Sequence, residues 1–297
     1  MQAHSNSTLA AADPNGGART PTHLYFPAVE GFGETYRRVM LNEYFGRLLD
    51  RAHIQTVAEL PLDDYGVVGA GSVIFAERGC HVRLVSDDRS LLVAGMGVFE
   101  HNRLQHGVQL VQGPLTALPL PDNSFDLGWN FDRLLTLPSP PNFLREMARV
   151  CKAVYVCVPN AHNYGQYAHY VYHKLRGDRC AYVEPRAWMA RQPVRETLGP
   201  LGLEVVDEGL IDVPWWPGFP ELPDLVRSLL GKRLAESPLR QKPVPPASQA
   251  EEAQWLDKVA RAAFIERSRW PEFVRQFFAH NVYVLAVKPE FRAELGL

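Results

Sequence analysis

The sequence predicts an α/β protein built on a doubly wound, mostly parallel β-sheet with helices on both faces. Short apolar segments alternate with amphipathic ones along most of the chain, which is the pattern of successive strand–helix–strand units. The segment 154–158 is a near-continuous apolar run, as expected for a strand buried on both faces. The chain has 297 residues, of which 46% are hydrophobic and 22% are charged, which is typical of a globular protein with a sizeable core.

The first half of the chain supplies the first strands of this sheet. An apolar stripe at helical spacing predicts a helix over 36–52, and the aromatic, Gly-rich segment before it is interpreted as a strap packed on the domain or as a lid. Turn residues 121–124 introduce the fourth strand, and Ser139 with Pro140 predicts the start of a helix. Strands are predicted at 54–60, 81–85, 108–112, 125–131 and 154–158, and further helices at 70–78 and 90–104.

The second half of the chain is more irregular. Residues 160–176 are rich in His, Tyr and Asn, and Pro185 is predicted to open a helix that reaches Leu198. The remaining predictions are strands at 203–212 and 281–287, helices at 222–230, 255–265 and 271–278, and a Pro-rich loop at 241–250. We therefore expect a disordered tail over 1–20 and a single domain over 21–297, with a helical and Pro-rich insertion at about 217–279.

Composition excludes several classes of function. The formal net charge of −2 gives no reason to expect nucleic acid or an anionic membrane as a partner. No segment approaches the roughly 20 apolar residues of a membrane span, and the N-terminus lacks the features of a signal peptide. The four cysteines are scattered without metal-ligand spacing, which predicts buried free thiols and a cytoplasmic location. His169 and His173 could share a helix face as metal ligands, but no third ligand is evident, so no metal site is predicted.

Several spaced motifs in the middle of the chain recur in the order found in one enzyme family. They are Leu118–Pro119, Pro121–Asp122, Ser124–Phe125–Asp126, Leu137–Pro138, Leu144–Arg145–Glu146, Arg149–Val150 and Val158–Pro159–Asn160. Together they resemble the second half of a class I S-adenosylmethionine-dependent methyltransferase of the methyltransferase-11 type. The resemblance runs from about residue 54 to the C-terminus. It implies a Rossmann-like, seven-stranded methyltransferase sheet and S-adenosylmethionine as the cofactor.

The resemblance also assigns positions for the cofactor. In the family an acid at the end of the first strand orients the cofactor's amino acid end, and Glu59 keeps that acid. Asp88 resembles the acid that binds the ribose hydroxyls, although Asp is equally common as a helix N-cap. The cofactor-binding residues implied in this way are Glu59, Gly66, Gly69, Gly71, Ser72, Asp88 and Asn130.

The departures from the family pattern fall at the ligand positions. Pro61 and Asp63 stand where the family has its first two glycines, and a proline offers no backbone N–H. Pro114 replaces the acid near the adenine, and Leu135–Thr136 replaces the Glu-His after the fourth strand. The later glycines, Gly66, Gly69 and Gly71, could form a shifted loop in compensation.

Methyl transfer requires mainly positioning, with a general base only where the acceptor must lose a proton. His162 and His169 are the candidate catalytic bases, although surface or packing histidines are equally consistent with the pattern. Four tyrosines between 164 and 172, and Trp215–Trp216, could line an acceptor pocket, pack a helix or form an interface. We therefore expect a methyltransferase for a small-molecule acceptor. The alternative is a catalytically inactive, methyltransferase-like scaffold or accessory subunit with a protein partner.

Overall fold

The computed structural model describes residues 27–63, 66–176, 186–217 and 249–297. Its centre is one seven-stranded sheet with the strand order β3-β2-β1-β4-β5-β7-β6. The strands are β1 (Thr56–Glu59), β2 (His81–Ser86), β3 (Val108–Gln112), β4 (Phe125–Phe131), β5 (Cys151–Pro159), β6 (Glu204–Ile211) and β7 (Asn281–Val287). Strands β1 to β5 pair in parallel, and β7 runs antiparallel to both of its neighbours. The predicted doubly wound, Rossmann-like methyltransferase sheet is confirmed.

The helices connect these strands across both faces of the sheet. They are α1 (Pro27–Arg51), α2 (Val73–Glu77), α3 (Arg89–His101), α4 (Pro140–Val150), α5 (Tyr164–Arg176), α6 (Arg191–Leu198), α7 (Gln249–Ala262), α8 (Glu272–Phe278) and α9 (Pro289–Leu295). A short 3-10 helix, Ala70–Ser72, precedes α2. The expected tail over 1–20, the helix over 222–230 and residues 241–248 of the Pro-rich loop lie outside the described residues.

Several boundaries differ from the sequence prediction, and three of them have a clear structural setting. Helix α1 begins at Pro27, so most of the segment interpreted as a strap is helical. Gly31, with φ 82° and ψ 172°, departs from helical geometry and divides the first turns of α1 from the rest. Helix α6 begins at Arg191 because a separate 3-10 turn occupies residues 186–188. Strand β5 is longer than its apolar run because it pairs with β4 on one side and with β7 on the other.

The two faces of the sheet bury separate apolar layers. One layer lies between the sheet and α1, α2, α3 and α7, and includes Phe45, Phe75 and Trp129. The other lies under α4 and α6 and includes Met147 and Val156. The alternation follows from the strand, since successive side chains point to opposite faces.

The cysteine prediction is confirmed for the three cysteines that are described. Cys80, Cys151 and Cys157 are buried free thiols, and Cys180 lies outside the described residues. No group of three metal-ligating side chains occurs in the described part of the chain. Among the described helices, none combines the length and the apolar character that crossing a bilayer requires.

Candidate functional site

The strand order places a crevice between β1 and β4. The chain proceeds outward from β1 on one side and from β4 on the other, and ligands of open α/β sheets bind outside the carboxyl ends of strands at such a switch point. A cavity of about 30 Å³ lies there. Its walls are contributed by β1, β4, the loop after β1, and α1. The lining residues are Glu34, Arg37, Arg38, Leu41, Glu59, Asp63, Val67, Gly69, Gly71, Trp129 and Phe131.

Glu59 is the buried acid of this crevice. It is the last residue of β1 and is 1% exposed. Its Oε2 accepts a hydrogen bond from the Ser72 hydroxyl at 2.6 Å, and its Oε1 accepts one from the Asp63 backbone N–H at 3.1 Å. Burial raises the pKa of Glu59 to about 8; these two bonds lower it, and the charge of Asp63 raises it further. Among the described residues no cation is a leading contribution to this pKa, and a cationic ligand group beside Glu59 would stabilise its ionised form.

Two of the loop glycines are required by packing. A Cβ on Gly71 would lie 2.5 Å from the Trp129 ring, which is closer than any side chain tolerates. Gly69 has φ +79°, and a Cβ there would lie 3.1 Å from the Cα of Gly95 on α3. The third glycine, Gly66, also has a positive φ of 71°. The backbone of this loop is therefore held against Trp129 and α3.

Leu62, which stands between the two residues that replace the family's first glycines, turns away from the crevice, whereas Asp63 lines the cavity. The Leu60–Pro61 peptide bond is cis. Leu62 is fully buried, and its backbone N–H donates to the Val85 carbonyl at 2.7 Å, which attaches the loop to the end of β2. A Cβ on Gly95 would lie 3.2 Å from the Leu62 side chain, so Leu62 packs under α3 rather than into the cavity.

Helix α1 forms the roof of the crevice. Glu34, Arg37 and Arg38 of this helix line the cavity. Arg37 forms an ion pair with Glu34, and its guanidinium carbon lies 4.4 Å from the centre of the Phe131 ring. Burial lowers the pKa of Arg37, but nearby carboxylates outweigh burial and raise it. These carboxylates belong to Glu34, Asp63, Asp132 and Asp212. Arg37 therefore stays charged, with these four carboxylates around it.

Asp88 serves as the N-cap of α3. Its Oδ1 accepts hydrogen bonds from the Ser90 backbone N–H and from the Ser90 hydroxyl, both at 2.7 Å. These bonds lower the pKa of the Asp88 carboxyl. The last residue of β2 is Ser86, whose hydroxyl accepts from the Asp88 N–H at 3.0 Å. The geometry thus shows that Asp88 caps the helix, which was one of the two roles that the sequence left open. The carboxylate is exposed and remains accessible to a ligand.

The end of β4 carries two polar residues that differ in environment. Asn130 is fully buried and donates to the Leu60 carbonyl at 3.3 Å, while its Oδ1 has no hydrogen-bond partner within the described residues. Asn130 does not line the cavity, because Trp129 and Phe131 point to that face of the strand. Asp132 follows β4 with φ +52° and accepts a hydrogen bond from Asn281. Burial raises the pKa of Asp132 to about 7 against the opposing effects of Arg37 and Asn281.

Of the two histidines predicted as catalytic bases, His162 is not among the described residues that line the crevice cavity. His162 is exposed in the turn before α5, and its backbone N–H donates to Asn160. His169 lies on α5, and its side chain is outside the described part of the structure. The residues that sequence reasoning missed are Arg37, Asp132 and His280. Asp132 follows a buried strand directly, and that position was a usable signal.

The chemistry and the volume of the crevice give different answers for S-adenosylmethionine. Glu59 suits the ammonium of the cofactor's amino acid end, and Arg37 suits its carboxylate. The cavity, however, has room for only about two water molecules. The residues present fit the amino acid end of the cofactor.

Comparison with known proteins finds a family model that matches part of the chain. Residues 64–154 match the model of a methyltransferase domain. No curated protein sequence is significantly similar to the chain. Among solved structures, the [4+2]-cyclase SpnF has a TM-score of 0.51 at 16% identity, over 91% of this chain and 88% of that one. A candidate sarcosine dimethylglycine methyltransferase from Galdieria sulphuraria has a TM-score of 0.50 at 15% identity, over 90% of this chain and 92% of that one. At these identities the structural likeness shows the fold alone.

Proposed function

We propose that this chain, which belongs to the class I S-adenosylmethionine-dependent methyltransferase family, binds S-adenosylmethionine in the β1–β4 crevice and methylates a small molecule. The observation that carries the proposal is Glu59, a buried carboxyl at the end of β1 that lines the crevice cavity. A buried acid of this kind is costly unless a ligand uses it. The cofactor, when bound, supplies an electrophilic methyl group on a sulfonium.

The chain's own residues would bind and orient the amino acid end of the cofactor. Glu59 would accept hydrogen bonds from the ammonium, while Ser72 and the Asp63 N–H keep its carboxylate in place. Arg37 would exchange its contact with Glu34 for the cofactor carboxylate. Asp132, with a pKa of about 7 and directly after the cavity-lining Phe131, would be the candidate to accept a proton from the acceptor.

A catalytically inactive scaffold with a protein partner is the second candidate function. Two observations favour it. The cavity in the crevice is small, at about 30 Å³, and Arg37 already lies among carboxylates that raise its pKa. One solved structure of similar fold is that of a [4+2]-cyclase, and the fold by itself does not determine methyl transfer.

Calorimetric titration with S-adenosylmethionine and with its demethylated product tests the proposal. The wild-type chain should bind, and Glu59→Gln should weaken binding by about 10- to 150-fold, the range for a charge-assisted hydrogen bond of 1.5–3 kcal/mol. Glu100→Gln makes the same chemical change on the exposed face of α3 and should leave the affinity unchanged. No heat of binding at millimolar cofactor would reject the enzyme and support the scaffold.

Asp88 needs a substitution that separates its two roles. Asp88→Ala would remove the helix cap as well as any ribose contact, at a cost of about 1 kcal/mol of stability. Asp88→Asn keeps a capping side chain and removes only the charge. Weaker cofactor binding by Asp88→Asn, with an unchanged free energy of unfolding, would support ribose recognition. Unchanged affinity would leave Asp88 with its capping role only.

A further inference from the structure

His280 is held from two sides by hydrogen-bond acceptors. It directly precedes β7, and its Nδ1 lies 3.2 Å from Asp212 Oδ2 while its Nε2 lies 3.0 Å from the Trp216 carbonyl oxygen. A carboxylate and a carbonyl can only accept hydrogen bonds, so both contacts are satisfied only when both ring nitrogens carry a proton. A neutral imidazole would place a lone pair against one of these two oxygens. With Asp212 ionised, the geometry therefore favours the imidazolium form.

His280 lies among charged and titratable groups that belong to several different helices and strands. Asp212 follows β6 and also accepts the His280 backbone N–H at its carbonyl, at 2.8 Å. Burial lowers the pKa of His280, but Asp212 and the Trp216 carbonyl outweigh burial and raise it. The other groups in this environment are Asp132 after β4, Cys157 on β5, Glu266 after α7, and Tyr36 and Arg37 on α1.

Trp216 connects this pair to the roof of the crevice. Its ring centre lies 5.2 Å from that of Phe32 and 5.1 Å from that of Tyr36, both on the first half of α1. The same turns of α1 carry Arg37 and Arg38, which line the crevice cavity. The position of Trp216 therefore supports the part of α1 that covers the crevice.

Glu266 provides a second tie between the same two segments. Its Oε2 accepts a hydrogen bond from the Tyr36 hydroxyl at 3.1 Å and one from the Val213 backbone N–H at 2.5 Å. Burial raises the pKa of Glu266 to about 7. Glu266 holds the backbone of Val213, whereas His280 holds the backbone of Trp216. His280 is therefore the residue that positions the Trp216 ring against Phe32 and Tyr36.

We propose that His280 is a positioning residue that acts as a proton-dependent latch: in its doubly protonated form it holds Trp216 against α1 and keeps the crevice covered. Loss of one proton leaves the Trp216 carbonyl or Asp212 without its donor and loosens the contact between Trp216 and α1. Because the pKa of His280 is raised in the folded protein, the latch is complete below about pH 6.5 and is lost as the pH rises through the folded-state pKa. The role of the opening in admitting a cofactor depends on the function proposed above, but the latch itself does not.

Hydrogen–deuterium exchange of the full-length protein without any ligand tests the latch. Exchange of residues 27–41 and 213–217 is compared between the wild type and His280→Gln at each pH from about 6 to about 9, so that the intrinsic pH dependence of exchange cancels. We expect the wild type to exchange about tenfold more slowly than His280→Gln at the acidic end, with the two rates converging at the basic end. A constant ratio of the two rates across this range would overturn the proposal.

Two further variants keep the test decisive if His280→Gln fails to fold. Asp212→Asn preserves the side-chain shape, and Asn tolerates the positive φ of 59° at this position. Removing the carboxylate should shift the exchange transition to lower pH, and an unshifted transition would reject the latch. His81→Gln, at the exposed start of β2, should retain the wild-type profile. Absence of cofactor binding would reject the proposed enzyme and leave these exchange results unaffected.

Discussion

The Trp129 ring lies directly against Gly71, where a Cβ would be 2.5 Å from the ring carbon Cη2. Trp129 is 1% exposed and also packs against Phe45 and Phe75, so the ring has no free space into which it could retreat. Gly71→Ala should therefore destabilise the protein by about 1–3 kcal/mol through overpacking. The free energy of unfolding in urea measures this effect.

Gly97→Ala is the matched control for Gly71→Ala. Gly97 lies exposed within α3, and a Cβ there would meet nothing within 4 Å. Because Ala favours a helix over Gly, Gly97→Ala should raise the free energy of unfolding by about 0.5–1 kcal/mol. Equal effects of the two substitutions would show that the contact with Trp129 is not what requires glycine at position 71.

The Ser72 hydroxyl joins two buried groups. It donates to Glu59 at 2.6 Å and accepts from the Trp129 indole N–H at 2.9 Å. Ser72→Ala leaves the indole N–H without its acceptor and removes a donor from Glu59, so stability should fall by about 2 kcal/mol. Ser90→Ala removes a hydroxyl bond to an exposed carboxylate, Asp88, and should cost less than about 0.5 kcal/mol. Urea unfolding of both variants decides whether burial makes the difference.

The sequence predicted most of the sheet because its signals are local. An apolar run such as 154–158 and the turn at 121–124 determine a strand from nearby residues alone. The residues that line and cover the crevice could not be found in this way. Arg37 meets Phe131, and His280 meets Asp212, only after distant parts of the chain have come together. Nothing in their own neighbourhoods in the sequence distinguishes them.

The loop glycines show that a motif can predict ligand binding where the structure also gives a packing reason for the same residues. Gly69 and Gly71 follow a spacing that suggests ligand binding, and the structure gives each a packing reason. Glu59, by contrast, was assigned from the resemblance, and it does line the crevice at the end of β1. A glycine pattern alone reports close approach of backbone, whether to a ligand or to a side chain.

Asp126, in the Ser-Phe-Asp motif, anchors the start of β1 to β4. Its Oδ2 accepts from the Gln55 and Thr56 backbone N–H groups and from the Thr56 hydroxyl, each at 2.9 Å, and its Oδ1 pairs with Lys152. Burial raises the pKa of Asp126, but the bonds from Lys152 and the backbone outweigh burial and lower it. Asp126→Asn would turn an amide N–H₂ toward Lys152 or toward the backbone donors. We expect a loss of about 1–3 kcal/mol at neutral pH, measured by urea unfolding.

Measuring stability in acid tests whether the charge of Asp126 is the cause of the stability lost in Asp126→Asn. Since the pKa is lowered in the folded protein, the stabilisation is present above the ordinary pKa of 3.8 and is lost as the pH falls through the folded-state value. The difference between the wild type and Asp126→Asn should therefore shrink in acid. Glu294→Gln removes the exposed partner of the same lysine and should change stability by less than about 1 kcal/mol.

Glu59 should make the protein less stable as the pH rises. Its folded-state pKa is about 8, against an ordinary value of 4.5, so the folded protein keeps a proton that the unfolded chain has already lost. Stability must then fall between about pH 4.5 and about pH 8, by an amount on the order of several kcal/mol at 1.36 kcal/mol per pKa unit. Glu59→Gln cannot ionise and should flatten this part of the curve. Urea unfolding at a series of pH values measures the slope.

The sign of the effect distinguishes this explanation from a simple loss of contacts. If Glu59 is a buried, uncompensated acid, Glu59→Gln should be more stable than the wild type above about pH 8 and should lose that advantage near pH 4.5. Glu100→Gln, on the exposed face of α3, should run parallel to the wild type throughout. A Glu59→Gln variant that is less stable than the wild type by the same amount at every pH would mean that Glu59 acts only through its hydrogen bonds to Ser72 and Asp63. If Glu59 is instead the buried acid described above, saturating S-adenosylmethionine should make the stability of the wild type fall less steeply with pH. The reason is that an ammonium beside Glu59 stabilises the ionised carboxylate.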